Sequence, residues 1–259
     1  MRNPPKRSSS PMTRRLILLR HGQTEYNATR RMQGHLDTVL SDAGWSQAEA
    51  AADFLATLPI GKIISSDLAR ARDTAAVVGK RLGIDVTTDP RLRETDLGEW
   101  QAKTIDEVDT DYPGARAIWR HDATWAPPRG ESRLDVAHRA RPVVDELMQD
   151  YHEWDDTSVL IVAHGGTISA LTCHLLGLDV GQYPIFSGLN NTCWAQLTAR
   201  PEFKDPHTAS QEAEEKAYAS QLTARFTPET AAHAQWYLDG WNMGVSLGRI
   251  NVTPSSQPQ

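Results

Sequence analysis

The sequence predicts an α/β fold in which a mostly parallel central sheet carries helices on both faces. Two apolar runs of strand length, residues 16–19 and 159–163, are each followed by a histidine and a glycine, the first of them after an intervening Arg20. Helix-forming stretches lie between these runs, so that strands and helices alternate along the chain. The length of 259 residues suffices for one such domain with a substantial core. We therefore expect a single domain over residues 14–250.

In the first half of the chain, residues typical of helix ends flank the apolar runs. Ser41 is typical of a helix N-cap, as is the pair Ser66-Asp67, and Gly83 is typical of a helix end. The predicted elements are, in order, a strand at 16–19, a helix at 41–58, a strand at 63–66, a helix at 67–82 and a strand at 84–88.

The second half of the chain returns to the same alternation. A long helix is predicted at 132–151, and Pro142 is expected to kink or interrupt it. The run at 159–163 is predicted to be a strand that leads through a histidine into a helix. Residues 235–247 are predicted to form a helix or an edge segment whose aromatic side chains pack within the subunit or across a dimer.

Residues 103–130 interrupt the alternation with mixed signals for short helices and loops. We expect this segment to form a cap over the strand ends. Its aromatic side chains, among them Trp119 and Trp125, are expected either to fill a core or to contact a sugar ring. Both chain ends, residues 1–13 and 251–259, are expected to be disordered.

The composition favours a small anionic ligand over a large partner. The formal net charge of -6 argues against nucleic-acid binding, although several arginines cluster near the histidine motifs. No apolar run is long enough to cross a membrane, and Cys173 and Cys193 lack the spacing of metal ligands. We therefore expect a cytoplasmic protein with no metal, no other cofactor, and neither a nucleic acid nor a membrane as partner.

The triplet Arg20-His21-Gly22 is a candidate phosphate site. It follows a predicted buried strand and therefore lies where open α/β sheets bind ligands, at the carboxyl end of a strand. The guanidinium matches the geometry of phosphate oxygens, and glycine lets the backbone approach an anion closely. A neutral imidazole is a nucleophile at physiological pH.

Three further segments place polar side chains at comparable positions. Arg70 follows the second predicted strand, Glu94 lies in a loop ahead of a glycine turn, and His164 ends the strand at 159–163. Taken singly, these residues have ordinary interpretations: a surface arginine, a salt-bridge partner in a loop and a buried structural histidine. Together at the strand ends they can converge on one phosphate.

These motifs, in this order, resemble the histidine phosphatase superfamily in its phosphoglycerate mutase-like branch, over about residues 14–200. The resemblance implies that His21 is transiently phosphorylated and that Glu94 shuttles a proton. It also implies that Arg20, Arg70 and His164 bind the phosphoryl group. The substrate contacts expected in addition are Gly22, Gln23, Asn27, Gln33, Gly34 and Gly165.

A narrower resemblance involves segments between the motifs, which are similar to a subgroup of actinobacterial sugar-phosphate phosphatases. These segments are 91–101, 114–116, 122–127, 130–133 and 191–197. The resemblance implies hydrolysis of the phosphate monoester of glucosyl-3-phosphoglycerate, within the synthesis of glucosylglycerate and methylglucose polymers. Arg116 and Trp125 are then expected to contact this small phosphorylated sugar-acid substrate.

Other functions remain open on the sequence. A phosphoglycerate mutase or a phosphomonoesterase of broad specificity would use the same motifs. A non-catalytic member of the fold is a further alternative, although the presence of both His21 and Glu94 argues against it. A homodimer is a possible assembly.

Overall fold

Six strands form one central sheet in the computed structural model, which describes residues 13–202, 210–222 and 226–245. They are β1 (Arg14–Arg20), β2 (Ile60–Ser65), β3 (Val86–Thr88), β4 (Ser158–Ala163), β5 (Trp194–Arg200) and β6 (Gln235–Met243). Their spatial order is β3-β2-β4-β1-β5-β6. The first four strands of that order are parallel, whereas β5 is antiparallel to β1 and β6 to β5. This topology confirms the predicted mostly parallel sheet.

Helices lie between these strands and beside the site. They are α1 (Glu25–Ala28), α2 (Asp42–Leu55), α3 (Ala69–Leu82), α4 (Ile105–Asp111), α5 (Ala115–His121), α6 (Arg133–Asp150), α7 (Gly165–Leu175), α8 (Gln211–Leu222) and α9 (Pro228–Ala231). Single 3-10 turns occupy Pro90–Leu92, Gly98–Trp100, His152–Asp155 and Val180–Ile185.

The two faces of the sheet are covered by different helices. Along β1, Leu16 and Leu18 belong to a buried cluster with α6 and α7, whereas Ile17 and Leu19 belong to a cluster with α2 and α3. Successive side chains of a strand point to opposite faces, which explains this division. Strand β1 is buried on both faces, and the prediction of helices on both faces is confirmed.

Several predicted helix ends agree with the structure. Ser41 caps α2 by accepting a hydrogen bond from the Gly44 amide at 3.2 Å. Gly83 ends α3 in the left-handed region, with φ of 69°. Pro142 lies inside α6 without interrupting it, so the expected break is absent.

The start of α3 differs from the prediction. The helix begins at Ala69, and neither Ser66 nor Asp67 is its N-cap. Instead, the Ala69 amide donates to the carboxylate of Asp37 at 2.6 Å. The capping group comes from a distant loop, which local sequence patterns cannot reveal.

Strand β5 is missing from the sequence prediction because its residues mix polar and apolar types without a clear period. Pairing with β1 on one side and with β6 on the other holds it in place: Leu197 pairs with Leu16 and with Leu238. Of the two alternatives for the last segment, the structure shows the edge strand β6.

Residues 103–130 contribute α4, α5 and a loop that share a small hydrophobic cluster around the fully buried Trp100. The rings of Trp119 and Trp125 lie 5.8 and 5.6 Å from the Trp100 ring. The segment therefore packs against the cluster around Trp100 rather than against the sheet.

The predictions of disorder concern residues outside the described ranges, with Thr13 as the exception. Across the described ranges, no helix combines the length and the apolar character needed to cross a membrane.

Candidate active site

The two histidine-glycine motifs meet at one edge of the sheet. Strands β1 and β4 are parallel neighbours with Arg20 opposite Ala163, so the residue after each strand emerges at the same edge. The His21 amide donates to the Ala163 carbonyl at 3.1 Å. The rings of His21 and His164 lie 5.1 Å apart, centroid to centroid. The sheet therefore brings the two histidines together, as expected from the strand ends.

The His21 ring is held in its neutral form. Its Nδ1 lies 2.7 Å from the Gly22 carbonyl oxygen, and because a carbonyl only accepts hydrogen bonds, Nδ1 carries the hydrogen. The lone pair then remains on Nε2. Burial lowers the pKa of His21 well below its ordinary value, and the charges of Arg20 and Arg70 lower it further.

Gly22 has a steric reason to be glycine. A Cβ at this position would lie 2.5 Å from the carbonyl oxygen of Gly44 in α2. Its amide donates to the Thr74 hydroxyl at 3.0 Å. In this structure Gly22 therefore lets α2 and α3 approach the motif, and its amide is already engaged.

The two arginines are oriented by backbone carbonyls. Arg70, fully buried on α3, donates to the carbonyls of Leu36 and Gly34 at 2.7 and 2.8 Å. Burial lowers the pKa of Arg70 to about 10, which leaves it cationic at neutral pH. Arg20 donates through Nη1 to the Leu189 carbonyl. Each guanidinium is thus held in place through its terminal Nη atoms.

Three buried nitrogen atoms of the arginines and histidines at this site lack a hydrogen-bond partner within the described part of the chain: Nε of Arg20, Nε of Arg70 and Nδ1 of His164. Leaving a buried polar group unpaired is costly, by about 1–3 kcal/mol. Two of these groups are cationic donors, which suit an anion with several acceptor oxygens. A phosphoryl group meets that requirement.

The side chain of Glu94 lies against the N-terminus of α7. Its carboxylate accepts hydrogen bonds from the amides of Gly166 and Thr167 at 3.1 and 3.2 Å, and from the Thr95 amide at 2.8 Å. A helix N-terminus favours a negative charge, so these amides orient the carboxylate beside the histidines. A side chain on Gly166 would collide with Glu94, since a Cβ there lies 2.5 Å from its Oε1.

The backbone of Glu94 is held by two side chains that sequence reasoning missed. Its carbonyl lies 2.7 Å from Nε2 of His35 and 2.8 Å from Nη2 of Arg139. Arg139 on α6 also binds both carboxylate oxygens of Glu131 at 2.8 Å. No local pattern signals this arrangement, because its members come from three separate segments.

A cavity of about 190 Å³ opens over His21. The predicted site residues that line it are Arg20, His21, Asn27, Gln33, Gly34, Arg70 and Glu94. His164 is fully buried beside His21 and does not itself form the cavity wall. Across the residues that the structure describes, no group of three or more His, Cys, Asp or Glu side chains is placed to hold a metal ion.

A second cavity of about 490 Å³ adjoins the first and shares Arg20, Glu94 and Trp119 with it. Arg120 and Arg133 line this larger cavity, as does Gly165. The two arginines were not expected there: Arg120 lies on α5 and Arg133 begins α6, and only the packing of these helices brings them together.

Four predicted substrate contacts do not line either cavity, and one of them is Gly22, whose amide donates to Thr74. Arg116 instead forms an ion pair with Asp109, and Trp125 packs against Trp100. Gln23 accepts a hydrogen bond from the Ser41 hydroxyl at 3.1 Å, at the start of α2. Arg116 and Trp125 thus lie outside both cavities, whereas Trp119, Arg120 and Arg133 line the larger one.

The fold and the site together define an α/β protein with two histidines and two buried arginines gathered at the carboxyl edge of its parallel strands. The family model of the histidine phosphatase superfamily (branch 1) matches residues 16–209. The chain belongs to this superfamily.

Relatives with curated names and solved structures are similar over most of the chain. A glucosyl-3-phosphoglycerate phosphatase of Mycolicibacterium vanbaalenii is 49% identical over 238 residues, which cover 90% of this chain and 96% of the relative. The solved structure of a mycobacterial glucosyl-3-phosphoglycerate phosphatase with VO3 is 46% identical, with a TM-score of 0.75, and covers 89% of this chain and 100% of that chain. A probable phosphoglycerate mutase of Enterobacter sp. is 33% identical over 164 residues, 63% of this chain and 75% of the relative.

Proposed function

We propose that this protein hydrolyses the phosphate monoester of glucosyl-3-phosphoglycerate to glucosylglycerate and phosphate, through a phosphohistidine at His21. The observation that carries the chemistry is the group of three unpartnered buried nitrogens of Arg20, Arg70 and His164 beside a neutral imidazole. The name of a relative with 49% sequence identity supports the assignment of this substrate.

In the first step, Nε2 of His21 attacks phosphorus in line with the leaving oxygen. Arg20, Arg70 and His164 stabilise the charge on the transferring oxygens, which is the main task in phosphoryl transfer. Glu94 enters this step in its protonated form, gives its proton to the leaving alkoxide and becomes the carboxylate. In the second step, Glu94 takes a proton from the water that attacks the phosphohistidine, and phosphate is released.

The larger cavity accounts for the rest of the substrate. Glucosyl-3-phosphoglycerate carries a carboxylate and a glucosyl ring besides its phosphate, and Arg120 and Arg133 offer positive charge at a second position. Trp119 lies at the junction of the two cavities, with its indole N–H buried and unpartnered in the described chain. We propose that Arg120 and Arg133 bind the carboxylate while Trp119 contacts the substrate between its two ends.

A direct assay separates this function from its rivals. Phosphate release is measured from glucosyl-3-phosphoglycerate, 3-phosphoglycerate and an aryl phosphate, and kcat/KM should be highest for the glycosylated compound. Conversion of 3-phosphoglycerate to its 2-isomer without phosphate release would identify a mutase instead. Equal kcat/KM on all three compounds would identify a phosphatase of broad specificity.

Two arginines of α5 form a matched pair for the specificity claim. Arg120 lines the larger cavity, whereas Arg116 is paired with Asp109 outside it. Arg120→Ala should lower kcat/KM for glucosyl-3-phosphoglycerate by roughly 10 to 150-fold, the loss expected for a hydrogen bond to a charged group, and should spare the aryl phosphate. Arg116→Ala should leave both values near those of the wild type.

We also infer a cytoplasmic location and a homodimer. The free thiols of Cys173 and Cys193 suit a reducing compartment. The edge strand β6 exposes Tyr237 and Met243, which supports a subunit interface at that edge. Light scattering of the purified protein measures the assembly, and a monomer at micromolar concentration would contradict the homodimer.

A further inference from the structure

Ser66 connects the ends of two strands. It follows β2, is fully buried, and donates its amide to the Val162 carbonyl of β4 at 2.9 Å. Its hydroxyl lies 2.9 Å from Nε2 of His164. The serine therefore contacts the one ring nitrogen of His164 that has a protein partner.

The direction of this hydrogen bond follows from the other contact of the hydroxyl. The Leu68 amide donates to Oγ of Ser66 at 3.3 Å, so the oxygen already accepts one hydrogen bond. The hydroxyl has one hydrogen to donate, and within the described chain the structure shows Nε2 of His164 as its partner. A hydrogen on Nε2 would instead leave the Ser66 hydrogen buried without an acceptor.

A neutral imidazole carries one hydrogen, so accepting at Nε2 places it on Nδ1. Burial, followed by the charge of Arg70, holds the pKa of His164 well below its ordinary value, which keeps the ring neutral. This Nδ1 is buried and has no hydrogen-bond partner among the residues that the structure describes.

We propose that Ser66 is a positioning residue that holds His164 in the tautomer with hydrogen on Nδ1, so that Nδ1 donates to the phosphoryl group. This role rests on the proposed phosphatase function, because a phosphate must occupy the site. Without Ser66 the hydrogen moves between both ring nitrogens, and the tautomer with a lone pair on Nδ1 repels a phosphate oxygen.

Histidine ring nitrogens in the full chain report the tautomer directly. In nitrogen-15 correlation spectra, with the His164 signals assigned by comparison with His164→Ala, the wild type should show hydrogen on Nδ1. In Ser66→Ala these signals should shift towards the average of two tautomers. The matched control is Ser65→Ala. Ser65 is also fully buried, but its hydroxyl donates to the backbone carbonyl of Ser66 at 2.8 Å.

The affinity for inorganic phosphate gives the functional consequence. If Ser66→Ala lowers the fraction of the competent tautomer to between half and a tenth, the phosphate Kd rises by about 2 to 10-fold. Ser65→Ala should leave the tautomer unchanged and shift the Kd less than Ser66→Ala does. The inference is overturned if wild-type His164 carries its hydrogen on Nε2, or if Ser66→Ala keeps both the tautomer and the phosphate affinity.

The wild-type spectrum decides the tautomer even if Ser66→Ala fails to fold. Failure of the proposed function is distinguishable, because it would appear as an inactive wild type on glucosyl-3-phosphoglycerate. The tautomer and the phosphate affinity do not depend on that substrate.

Discussion

The ends of β1 and β4 share one local sequence pattern, an apolar strand followed by histidine and glycine, and yet they differ in chemistry. His21 donates from Nδ1 to the carbonyl of its own neighbour Gly22, which leaves the lone pair of Nε2 available. His164 contacts Ser66, the residue after the adjoining strand β2, through Nε2, and its Nδ1 has no partner in the described part of the chain. In the mechanism that we propose, the atom that each ring contacts, rather than the motif, decides which histidine attacks and which donates.

The glycines that follow the two histidines differ as well. A Cβ on Gly22 would lie 2.5 Å from a backbone oxygen, whereas a Cβ on Gly165 would meet Arg20 Nε at 3.6 Å, an ordinary contact. The first glycine is required by packing, while the second leaves room for a methyl group. The shared motif thus has a steric basis at one strand end only.

The largest expected effect separates the two histidines. His21→Ala removes the nucleophile and should lower kcat by at least about 10⁴-fold. His164→Ala removes one donor to the transferring oxygens and should cost about 10² to 10³-fold, the range found for such donors. Steady-state assays of both variants on one substrate test the difference, and equal losses would contradict the division of roles.

The next largest effect is expected for Glu94→Gln. The Glu94 carboxylate accepts hydrogen bonds from the first amides of α7, the helix that follows β4. Its proposed task is proton transfer to the leaving group. General acid catalysis contributes about 10² to 10⁴-fold, so glucosyl-3-phosphoglycerate should be slowed by that order. An activated aryl phosphate needs less protonation and should be slowed less. The same loss on both substrates would indicate that Glu94 only orients the site.

The glycines provide a test of stability. Gly22→Ala should lower the free energy of unfolding by about 1–3 kcal/mol, because a rigid backbone has to move away from the new methyl group. Gly165→Ala is the matched control and should change stability by less than about 1 kcal/mol. Urea unfolding of the two variants measures both values, and an equal cost would show that close packing does not distinguish the two strand ends.

The remaining expected effect is a dependence of stability on pH. Both histidines have a lowered pKa in the folded state, so below the ordinary value near 6.5 the unfolded state binds more protons than the folded state. The free energy of unfolding should therefore fall as the pH drops below that value, by up to about 1.4 kcal/mol per pH unit for each histidine. His164→Ala should flatten the slope between pH 7 and 5. An unchanged slope would show that His164 titrates alike in both states.

Much of this arrangement could be predicted from the sequence because it depends on strands. Apolar runs predicted β1 and β4, and parallel strands deliver their following residues to one edge, so the two histidines were expected to meet there. The expected set was Arg20, His21, Arg70, Glu94 and His164. The contact of Ser66 with His164 could not be predicted, since Ser66-Asp67 looks like a helix cap in the local sequence. Likewise, Arg139 reaches Glu94 only through the packing of α6, and Arg120 and Arg133 reach the cavity only through the placement of α5 and α6. Strand β5 was missed because its neighbours rather than its composition make it a strand.

The central claim is that His21, and not His164, receives the phosphoryl group. The most direct measurement is rapid quenching with substrate that carries radioactive phosphorus, followed by mapping of the acid-labile label. We expect the label on His21 in the wild type and, at a slower rate, in His164→Ala, and no label in His21→Ala. A label on His164, or full-rate turnover without any phosphoenzyme, would contradict the account.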